Sequence, residues 1–413
     1  MLLDRFLRYV QIDTQSDPHS PTQPSTEKQK DLGRLLAEEL RALGLEDAHL
    51  DEHGYVYATL PATPGAEGAP TVCFCSHMDT SPDASGTNVK PIVHNNYRGQ
   101  DLVLPDDPSI VLRVSEQAGL DRNIGNTIVT ASGTTLLGAD NKSGIAAIMT
   151  AVETLVGSSE PHARLRILFT PDEEIGRGVN AVDMDKLDAD FGYTMDGEEF
   201  MSLQDETFSA DAARIDIIGV SVHPGLAKGR MESALKLAAD IIAELPRERL
   251  SPETTEGKQG FIHPVEITGQ AERARIDLLL RDFTTAKLAD HAIELRRAID
   301  RASVNYPSSR VEMTVTEQYR NMKEVLDRHP AVMELAQHAM TRVGLTPKAD
   351  SIRGGTDGSR LSFMGLPCPN IFAGEHAFHG RYEWASVEEM EAAARVVVEI
   401  ARLAVDLEAD AEG

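Results

Sequence analysis

Cysteine, aromatic side chains, basic charge and long apolar runs are all scarce in this sequence of 413 residues. The three cysteines are an odd number in a long chain and do not make a disulfide framework. With 40 basic against 66 acidic side chains, the formal net charge is −26. Such a chain repels phosphate backbones and anionic lipid surfaces, so we expect neither a nucleic-acid partner nor a membrane partner.

No stretch is apolar enough to span a bilayer, and Asp4 interrupts the region where a secretory signal would need an unbroken apolar core. We therefore expect a cytoplasmic protein. The composition, 41% apolar and 26% charged, is that of an ordinary globular protein that can bury a large core. Because 413 residues exceed what one hydrophobic core usually organises, we expect two domains.

Apolar runs alternate with amphipathic helical patterns in both end regions of the chain, which indicates an α/β domain with a mixed, mainly parallel sheet flanked by helices. We predict that residues 1–207 and 322–413 form this domain, and that a smaller domain is inserted at residues 208–321. The helical patterns of the larger domain lie at residues 28–43, 142–156, 325–344 and 387–407.

Within the predicted insertion, strand-like and helix-like segments follow one another in the order βαββαβ. This order is typical of a ferredoxin-like α+β domain. The segments are residues 213–222, 233–245, 261–268, 273–282, 285–302 and 310–318.

Three apolar runs in the first half of the chain each end in residues that can ligate a metal. In an α/β sheet the carboxyl ends of parallel strands meet at one edge, so distant segments can come together there. A cage of carboxylates and histidines suits hard or borderline divalent metals, with zinc as the leading candidate. The runs and their clusters are residues 72–76 with His77 and Asp79, residues 134–138 with Asp140, and residues 165–169 with Glu173 and Glu174.

Each of these candidates has a chemical reason and a structural alternative. At a strand end the Asp79 carboxylate can reach the imidazole N–H of His77, but a core histidine beside a surface aspartate fits as well. Asp140 has two oxygens that could bridge two ions, and it also suits the N-cap of the helix that follows. Of the adjacent Glu173 and Glu174, one could bind metal while the other faces a substrate water, unless both are exposed on a turn.

Asp196 and His379 follow shorter apolar stretches, and each alone also fits a structural role. Cys75 and Cys73 could be imagined as thiolate ligands. A strand rises about 3.3 Å per residue, so they lie about 7 and 13 Å back from the strand tip, and we predict that both are core residues.

The joint pattern is more specific than its parts. The motifs HMD, GADNKSG, PDEEIG, MDG and FHG, in this order, closely resemble those of the M20 family of dinuclear zinc peptidases. Within that family the likeness is to the aminotripeptidase branch, and it runs nearly from end to end. Further matches outside the metal cage are SVHPG at 221–225, IRGGTDG at 352–358 and GLPCPN at 365–370.

The resemblance implies two zinc ions per chain and a role for each candidate ligand. His77 and Asp196 would hold one zinc, Glu174 and His379 would hold the other, and Asp140 would bridge the two.

Roles for neighbouring residues also follow from the resemblance. Asp79 would stand behind the first histidine, and Glu173 would be the general base. M20 relatives carry a non-proline cis peptide bond at the position that matches Asp140–Asn141, so the same bond is expected here.

Three residues are candidates for substrate binding. The family uses the histidine that matches His223 to help hold the oxyanion, often across a dimer, although His-Pro-Gly could also simply end a strand. Arg353 lies in a glycine-rich loop and suits bidentate capture of a peptide carboxylate. Arg281 is a further candidate, although an arginine at a strand end more often makes a surface ion pair.

The resemblance implies an aminotripeptidase that hydrolyses the N-terminal peptide bond of tripeptides by two-zinc activation of water. The inserted domain would then act as a lid or dimerisation domain, and a homodimer is among the expected states. A dipeptidase or an N-acyl amino acid deacylase of the same family is an alternative. A non-catalytic metal-binding or peptide-binding protein is another, and Glu173 argues against it because binding alone needs no second acid beside the ligand.

Overall fold

The computed structural model describes residues 1–407, which fall into two compact units. The first unit comprises Met1–Asp205, Met322–Ser351 and residues from Thr356 onward, and the second comprises Glu206–Asn321 and Ile352–Gly355. The helices are α1 (Leu2–Val10), α2 (Gln29–Ala42), α3 (Ala139–Val156), α4 (Met184–Leu187), α5 (Ala234–Ala243), α6 (Thr285–Ser303), α7 (Lys323–Leu326), α8 (Pro330–Arg342), α9 (Asp357–Phe363) and α10 (Val387–Leu403).

The strands are short in the first unit and longer in the second. They are β1 (His49–Leu50), β2 (Val56–Leu60), β3 (Val72–His77), β4 (Ile92–His94), β5 (Leu102–Val103), β6 (Val111–Leu112), β7 (Ile128–Thr130), β8 (Leu165–Thr170), β9 (Phe191–Gly197), β10 (Ser202–Thr207), β11 (Ser209–Ile218), β12 (Phe261–Gly269), β13 (Arg273–Asp282), β14 (Arg310–Tyr319), β15 (Lys348–Ile352), β16 (Asn370–Phe372), β17 (Glu375–His376) and β18 (Trp384–Ser386).

The main sheet of the first unit has eight strands in the order β1-β2-β8-β3-β9-β16-β10-β15. Its centre, β8-β3-β9-β16, is parallel, and β2 and β10 pair antiparallel on either side. Strands β3 and β8 are buried along their whole length, so they read as continuous apolar runs rather than as alternating ones. The predicted fold class, a mixed and mainly parallel sheet flanked by helices, is confirmed.

Side chains of β3 alternate between two apolar cores. Phe74 packs in the core that α1, α3, α8 and α10 share, whereas Cys73 and Cys75 point to the opposite face and join Tyr55 and Leu168 there. Both cysteines are fully buried, as predicted.

Two predictions of secondary structure in the first unit were wrong. Residues 134–138 form no strand; the preceding strand, β7, ends at Thr130, and left-handed backbone at Gly133 and Gly138 keeps the intervening loop irregular. The helical pattern at 325–344 is two helices, because Pro330 begins a new helix after the short α7.

The second unit has the predicted βαββαβ order. Its antiparallel sheet runs β12-β13-β11-β14, and α5 and α6 pack on one face over a core that includes Ile215, Ile276, Leu237 and Leu295. Strand β11 begins at Ser209, four residues before the predicted start. The segment Ile352–Gly355 was predicted to lie in the larger domain, but it belongs to this unit.

A separate four-stranded antiparallel sheet in the first unit, β17-β18-β7-β4, flanks the loop that carries His379. None of the helices within residues 1–407 combines the length and the apolar character that crossing a bilayer requires.

Candidate metal centre

The five predicted ligands lie at strand ends, in a turn, at the start of a helix and in a loop of the first unit. His77 is the last residue of β3, and Asp196 is the last but one of β9, the strand beside it. Glu174 lies in a 3-10 turn at Glu173–Ile175, which follows β8. Asp140 is in the first turn of α3, and His379 lies between β17 and β18.

The first group of side chains is built around His77. Its Nε2 atom lies 2.8 Å from Asp140 Oδ1 and 3.4 Å from Asp196 Oδ1. All three side chains are buried or nearly so, and their ligand atoms lie within 4.8 Å of one another. This arrangement can hold one metal ion.

The second group is built around His379. Its Nε2 atom lies 3.2 Å from Asp140 Oδ2 and 2.8 Å from Glu174 Oε2. Asp140 therefore belongs to both groups, with one carboxylate oxygen in each. Its side chain does not cap α3, which removes the structural alternative for this residue.

These contacts shift the pKa values of the two histidines. Burial lowers the pKa of His77, but the neighbouring Asp196 and Asp140 carboxylates outweigh it and raise the pKa well above its usual range. Burial lowers the pKa of His379, but the neighbouring Asp140 and Glu174 carboxylates outweigh burial and raise the pKa to about 11. Without a cation, protons on the imidazoles provide the positive charge that this acidic cluster needs.

One buried oxygen of the cluster has no partner. Glu174 Oε1 is buried and accepts no hydrogen bond within residues 1–407, although burial of an unpaired carboxylate oxygen is costly. Two imidazoles and three carboxylates form the nitrogen and oxygen donor set that suits zinc and similar divalent ions. The residues present therefore fit a pair of divalent metal ions that share Asp140.

Comparison with known proteins identifies the family. Residues 137–403 match the model of peptidase family M20/M25/M40. The chain belongs to the M20 peptidases. The match includes the segment of Asp140 and reaches past His379, so the predicted family and the predicted class of enzyme, a metallopeptidase, are confirmed.

Relatives of this M20 peptidase match it over nearly its full length. Peptidase T of Halothermothrix orenii is 46% identical over 403 residues, which cover 97% of this chain and 98% of the relative. Peptidase T of Bacillus subtilis is 43% identical over 402 residues, with the same coverage. A resemblance to the aminotripeptidase branch of the family is thus confirmed.

Solved structures share the fold. A tripeptidase from Staphylococcus aureus matches with a TM-score of 0.77 at 23% identity, covering 98% of both chains. The aminopeptidase PepT from Bacillus cereus matches with a TM-score of 0.74 at 24% identity, also covering 98% of both chains. The YXEP protein of Bacillus subtilis, a dinuclear metal-binding M20 peptidase, matches with a TM-score of 0.65 at 14% identity and the same coverage.

Asp79 contacts more of the M20 peptidase site than the sequence indicated. The Nδ1 atom of His77 lies 3.0 Å from the Asp79 carbonyl oxygen and 3.5 Å from its carboxylate, so the backbone makes the closer contact. The carboxylate accepts the backbone N–H groups of Glu173 at 2.9 Å and Glu174 at 3.2 Å. Asp79 thereby joins the ends of β3 and β8.

Sequence reasoning missed several buried acids around this centre. Asp172 accepts bonds from the Ser25 and Gln29 side chains, which ties the segment before α2 to the turn at Glu173. Glu383, four residues after His379, accepts backbone bonds from the segment before Asp140. Their partners are distant in sequence, so no local motif identifies them.

The segment at Glu375–Ala377, just before the loop of His379, is largely interior. Glu375 is buried and accepts a bond from Ser143 at 2.7 Å. His376 is buried against Trp384 with ring centroids 3.9 Å apart, and its Nε2 lies 2.7 Å from Glu389. These two side chains support the loop of His379 and do not form an exposed rim.

The three predicted substrate-binding residues all belong to the second unit. His223 is exposed, and its Nδ1 accepts a bond from the backbone N–H of Gly225. Arg281 is buried and donates to the carbonyl oxygens of Asp211 and Leu280 instead of making a surface ion pair.

Arg353 already has a full set of partners in the second unit. Its guanidinium donates to the carbonyl oxygens of Gly257 at 2.6 Å and Gln259 at 2.8 Å, and to the Thr255 hydroxyl at 3.1 Å. It also lies over the Phe208 ring, 5.1 Å from the centroid. These contacts fix the loop at residues 255–259.

Proposed function

We propose that this M20 peptidase is an aminotripeptidase that hydrolyses the N-terminal peptide bond of tripeptides with the help of two zinc ions. The observation that carries the proposal is the position of Asp140, whose two carboxylate oxygens each face a different histidine. Relatives that bear the name peptidase T, at 43–46% identity over 97% of the chain, support the tripeptide substrate.

The ligand roles follow from the two groups. His77 and Asp196 would hold one ion, Glu174 and His379 would hold the other, and Asp140 would contribute one oxygen to each. When bound, the ions would supply Lewis acidity that polarises the peptide carbonyl and lowers the pKa of water toward 7.

Glu173 is the proposed general base. Its carboxylate is not in either ligand group, yet its backbone is held beside Glu174 by the two bonds to Asp79. Burial raises the pKa of Glu173 well above its usual range, which makes its carboxylate a stronger base than that of an exposed glutamate. It would take the proton of the attacking water and deliver it to the leaving amine.

Asp79 is a positioning residue in this scheme. It contacts the imidazole of His77 through its carbonyl oxygen and fixes the backbone of Glu173 through its carboxylate. A single residue would thus help to set the separation between a metal ligand and the base. Such positioning affects the rate, because displacing a reacting group by about 1 Å can lower the rate by two orders of magnitude.

A panel of peptides tests the substrate class. Free di-, tri- and tetrapeptides and N-acyl amino acids would be offered to metal-loaded protein, with the highest kcat/KM expected for free tripeptides. Preferential turnover of dipeptides or N-acyl substrates would replace the proposal with the dipeptidase or deacylase alternative.

Metal content tests the cofactor. Protein stripped with a chelator should be inactive, and titration with Zn²⁺ should restore activity at two ions per chain. Recovery with one ion, or full activity of stripped protein, would contradict the two-metal proposal.

Light scattering would test the expected homodimer, and cell fractionation would test the expected cytoplasmic location.

A further inference from the structure

Glu383 is a buried acid outside both ligand groups. Its side chain is only 1% exposed, yet both carboxylate oxygens are fully engaged. Oε2 accepts the backbone N–H groups of Leu137 at 2.6 Å and Gly138 at 2.8 Å, and Oε1 accepts the backbone N–H of Asp140 at 3.0 Å. Hydrogen bonds to a carboxylate are roughly twice as strong as those between neutral groups.

The segment before Asp140 needs this acceptor. Residues 131–138 lie in no strand or helix, so their buried N–H groups have no ladder to join. Gly138 adopts φ +81°, which directs the chain into α3 rather than along a sheet. The Glu383 carboxylate takes the place of a neighbouring strand for three backbone groups.

The other side of Glu383 belongs to the segment of His379. The backbone N–H of Glu383 donates to the carbonyl of Gly380 at 3.3 Å, which closes the turn after His379. Trp384 follows in β18 and is fully buried against His376. Glu383 is therefore fixed in the segment that carries one ligand while its side chain holds the segment that carries another.

A buried lysine lies beside the loop that Glu383 holds. The Nζ atom of Lys142 donates to the carbonyl of Ile12 at 2.8 Å and lies 3.5 Å from where a Cβ on Gly138 would stand. The ammonium group of Lys142 thus lies near Gly138, whose backbone N–H donates to Glu383.

We propose that Glu383 is a positioning residue that sets the bridging carboxylate of Asp140 against His379 and thereby determines the affinity of the metal pair. The inference rests on the proposed two-metal function. Glu383 would act on metal binding indirectly, because its oxygens contact only the backbone of the segment that carries Asp140.

Glu383→Gln tests the assignment. An amide has one accepting oxygen, so at least one of the three backbone N–H groups loses its partner in either amide orientation. Zn²⁺ affinity of chelator-stripped protein would be measured by competition with a chromophoric chelator. We expect it to fall about 10- to 100-fold, the usual effect of losing an outer contact of a metal site, with two ions still bound at saturation.

Glu399→Gln provides the matched control. Glu399 is a largely buried acid of α10 in the same unit and pairs with Arg342 and Arg402. This variant should lower the melting temperature without changing Zn²⁺ affinity.

Activity gives a second readout for Glu383→Gln. The Zn²⁺ concentration for half-maximal activity should rise, while kcat at saturating Zn²⁺ stays within about threefold of the original value. A general loss of stability would not separate the two quantities in this way.

Unchanged Zn²⁺ affinity in Glu383→Gln would overturn the inference, whatever its melting temperature. If that variant does not fold, Glu383→Asp replaces it under the same criterion, because it keeps the charge but withdraws the oxygens by one methylene. Failure of the unmodified protein to bind two ions would instead contradict the proposed function, so the two failures are distinguishable.

Discussion

Asp140 has a different partner at each carboxylate oxygen, and several other residues of the site also link two segments. Asp79 contacts His77 through its backbone and the turn of Glu173 through its side chain. Glu383 does the same for the segments of Asp140 and His379. The segments that carry the candidate metal ligands are thus held by carboxylates, which are strong acceptors of hydrogen bonds from backbone N–H groups.

The role of Glu173 gives the first prediction. Glu173→Gln keeps the shape of the side chain and removes the base, so we expect kcat to fall by at least about 10²-fold while the protein still binds two ions. Steady-state kinetics and metal analysis would measure both. Glu153→Gln, which alters a glutamate of α3 paired with Arg5, is the control and should keep full activity. Equal activity of Glu173→Gln would refute the assignment.

Arg353 gives the second prediction. If it binds the substrate carboxylate, Arg353→Ala and C-terminal amidation of the tripeptide should each weaken transition-state binding by roughly 2 to 4 kcal/mol in kcat/KM. The two losses should not add, because each removes the same contact. Additive losses would mean that Arg353 acts only by holding the loop at residues 255–259.

At the residue scale, the sequence could identify the candidate ligands but not the residues that hold them in place. His77, Asp140, Glu174, Asp196 and His379 stand beside apolar runs or motifs, and the structure brings all five together. Glu383 and Asp172 act on backbone groups far away in the chain, and such contacts leave no pattern of spacing. The contact between the Asp79 carbonyl oxygen and His77 could not be predicted either, because it depends on the local path of the backbone.

At the scale of elements, the first turns of α3 pack closely against β3 and β9, the strands that carry candidate ligands. A Cβ on Gly144 would lie 2.1 Å from the carbonyl oxygen of Met195 in β9 and 2.6 Å from the hydroxyl of Ser76 in β3. The absence of a side chain at this position lets the helix approach both strands. Since Asp140 lies in the first turn of α3 and β9 carries Asp196, this approach also affects the distance between two candidate ligands.

The third prediction follows from this contact. Gly144→Ala should lower the free energy of unfolding by about 1 to 3 kcal/mol, the usual cost of overpacking, and should also weaken Zn²⁺ binding. Gly157→Ala, at the other end of α3, is the control: its Cβ would meet no atom closer than 3.4 Å, so its stability should change by less than about 1 kcal/mol. Denaturant unfolding measures both, and equal stabilities would contradict the argument.

Regular elements were predictable where a periodic apolar pattern was long. The boundaries of β13 were predicted to the residue, and the βαββαβ order of the second unit was read correctly. The loop before Asp140 was misread as a strand, because its apolar residues pack irregularly around Gly133 and Gly138 and bond to a side chain. Apolar content alone does not separate a buried loop from a buried strand.

At the scale of the whole molecule, the acidic metal centre couples metal binding to pH. Burial raises the pKa of Glu174 to about 8, and the neighbouring carboxylates raise the pKa of His379 to about 11. Both shifts are upward from the ordinary values. Each therefore adds stability to the metal-free protein that is fully present at low pH and is lost as pH rises through the shifted pKa.

The fourth prediction concerns the metal-free protein. Its melting temperature should fall between pH 7 and pH 10, and the fall should be steeper than in the Zn²⁺-loaded protein, whose ligands carry no protons to lose. Calorimetry in matched buffers would measure both curves. Parallel curves would show that these groups do not titrate in this range.

The fifth prediction concerns protons released by metal. A metal can bind His77 and His379 only after it displaces the protons that they carry near pH 7, so Zn²⁺ uptake should release protons and tighten as pH rises from 6 to 8. Titration calorimetry in buffers of different ionisation enthalpy counts the protons. Protein already loaded with Zn²⁺ is the control and should release none, and a pH-independent affinity would contradict the prediction.

The position of the second unit in the chain bears on the order in which the site is made during synthesis. His77, Asp140 and Asp196 all precede it, whereas His379 follows about 180 residues after Asp196. At 5–20 residues per second, the ribosome needs on the order of 10 to 40 s to make that interval. The nascent chain therefore contains every side chain of the first candidate ligand group well before the second group can be completed, so the two groups are synthesised in a fixed order.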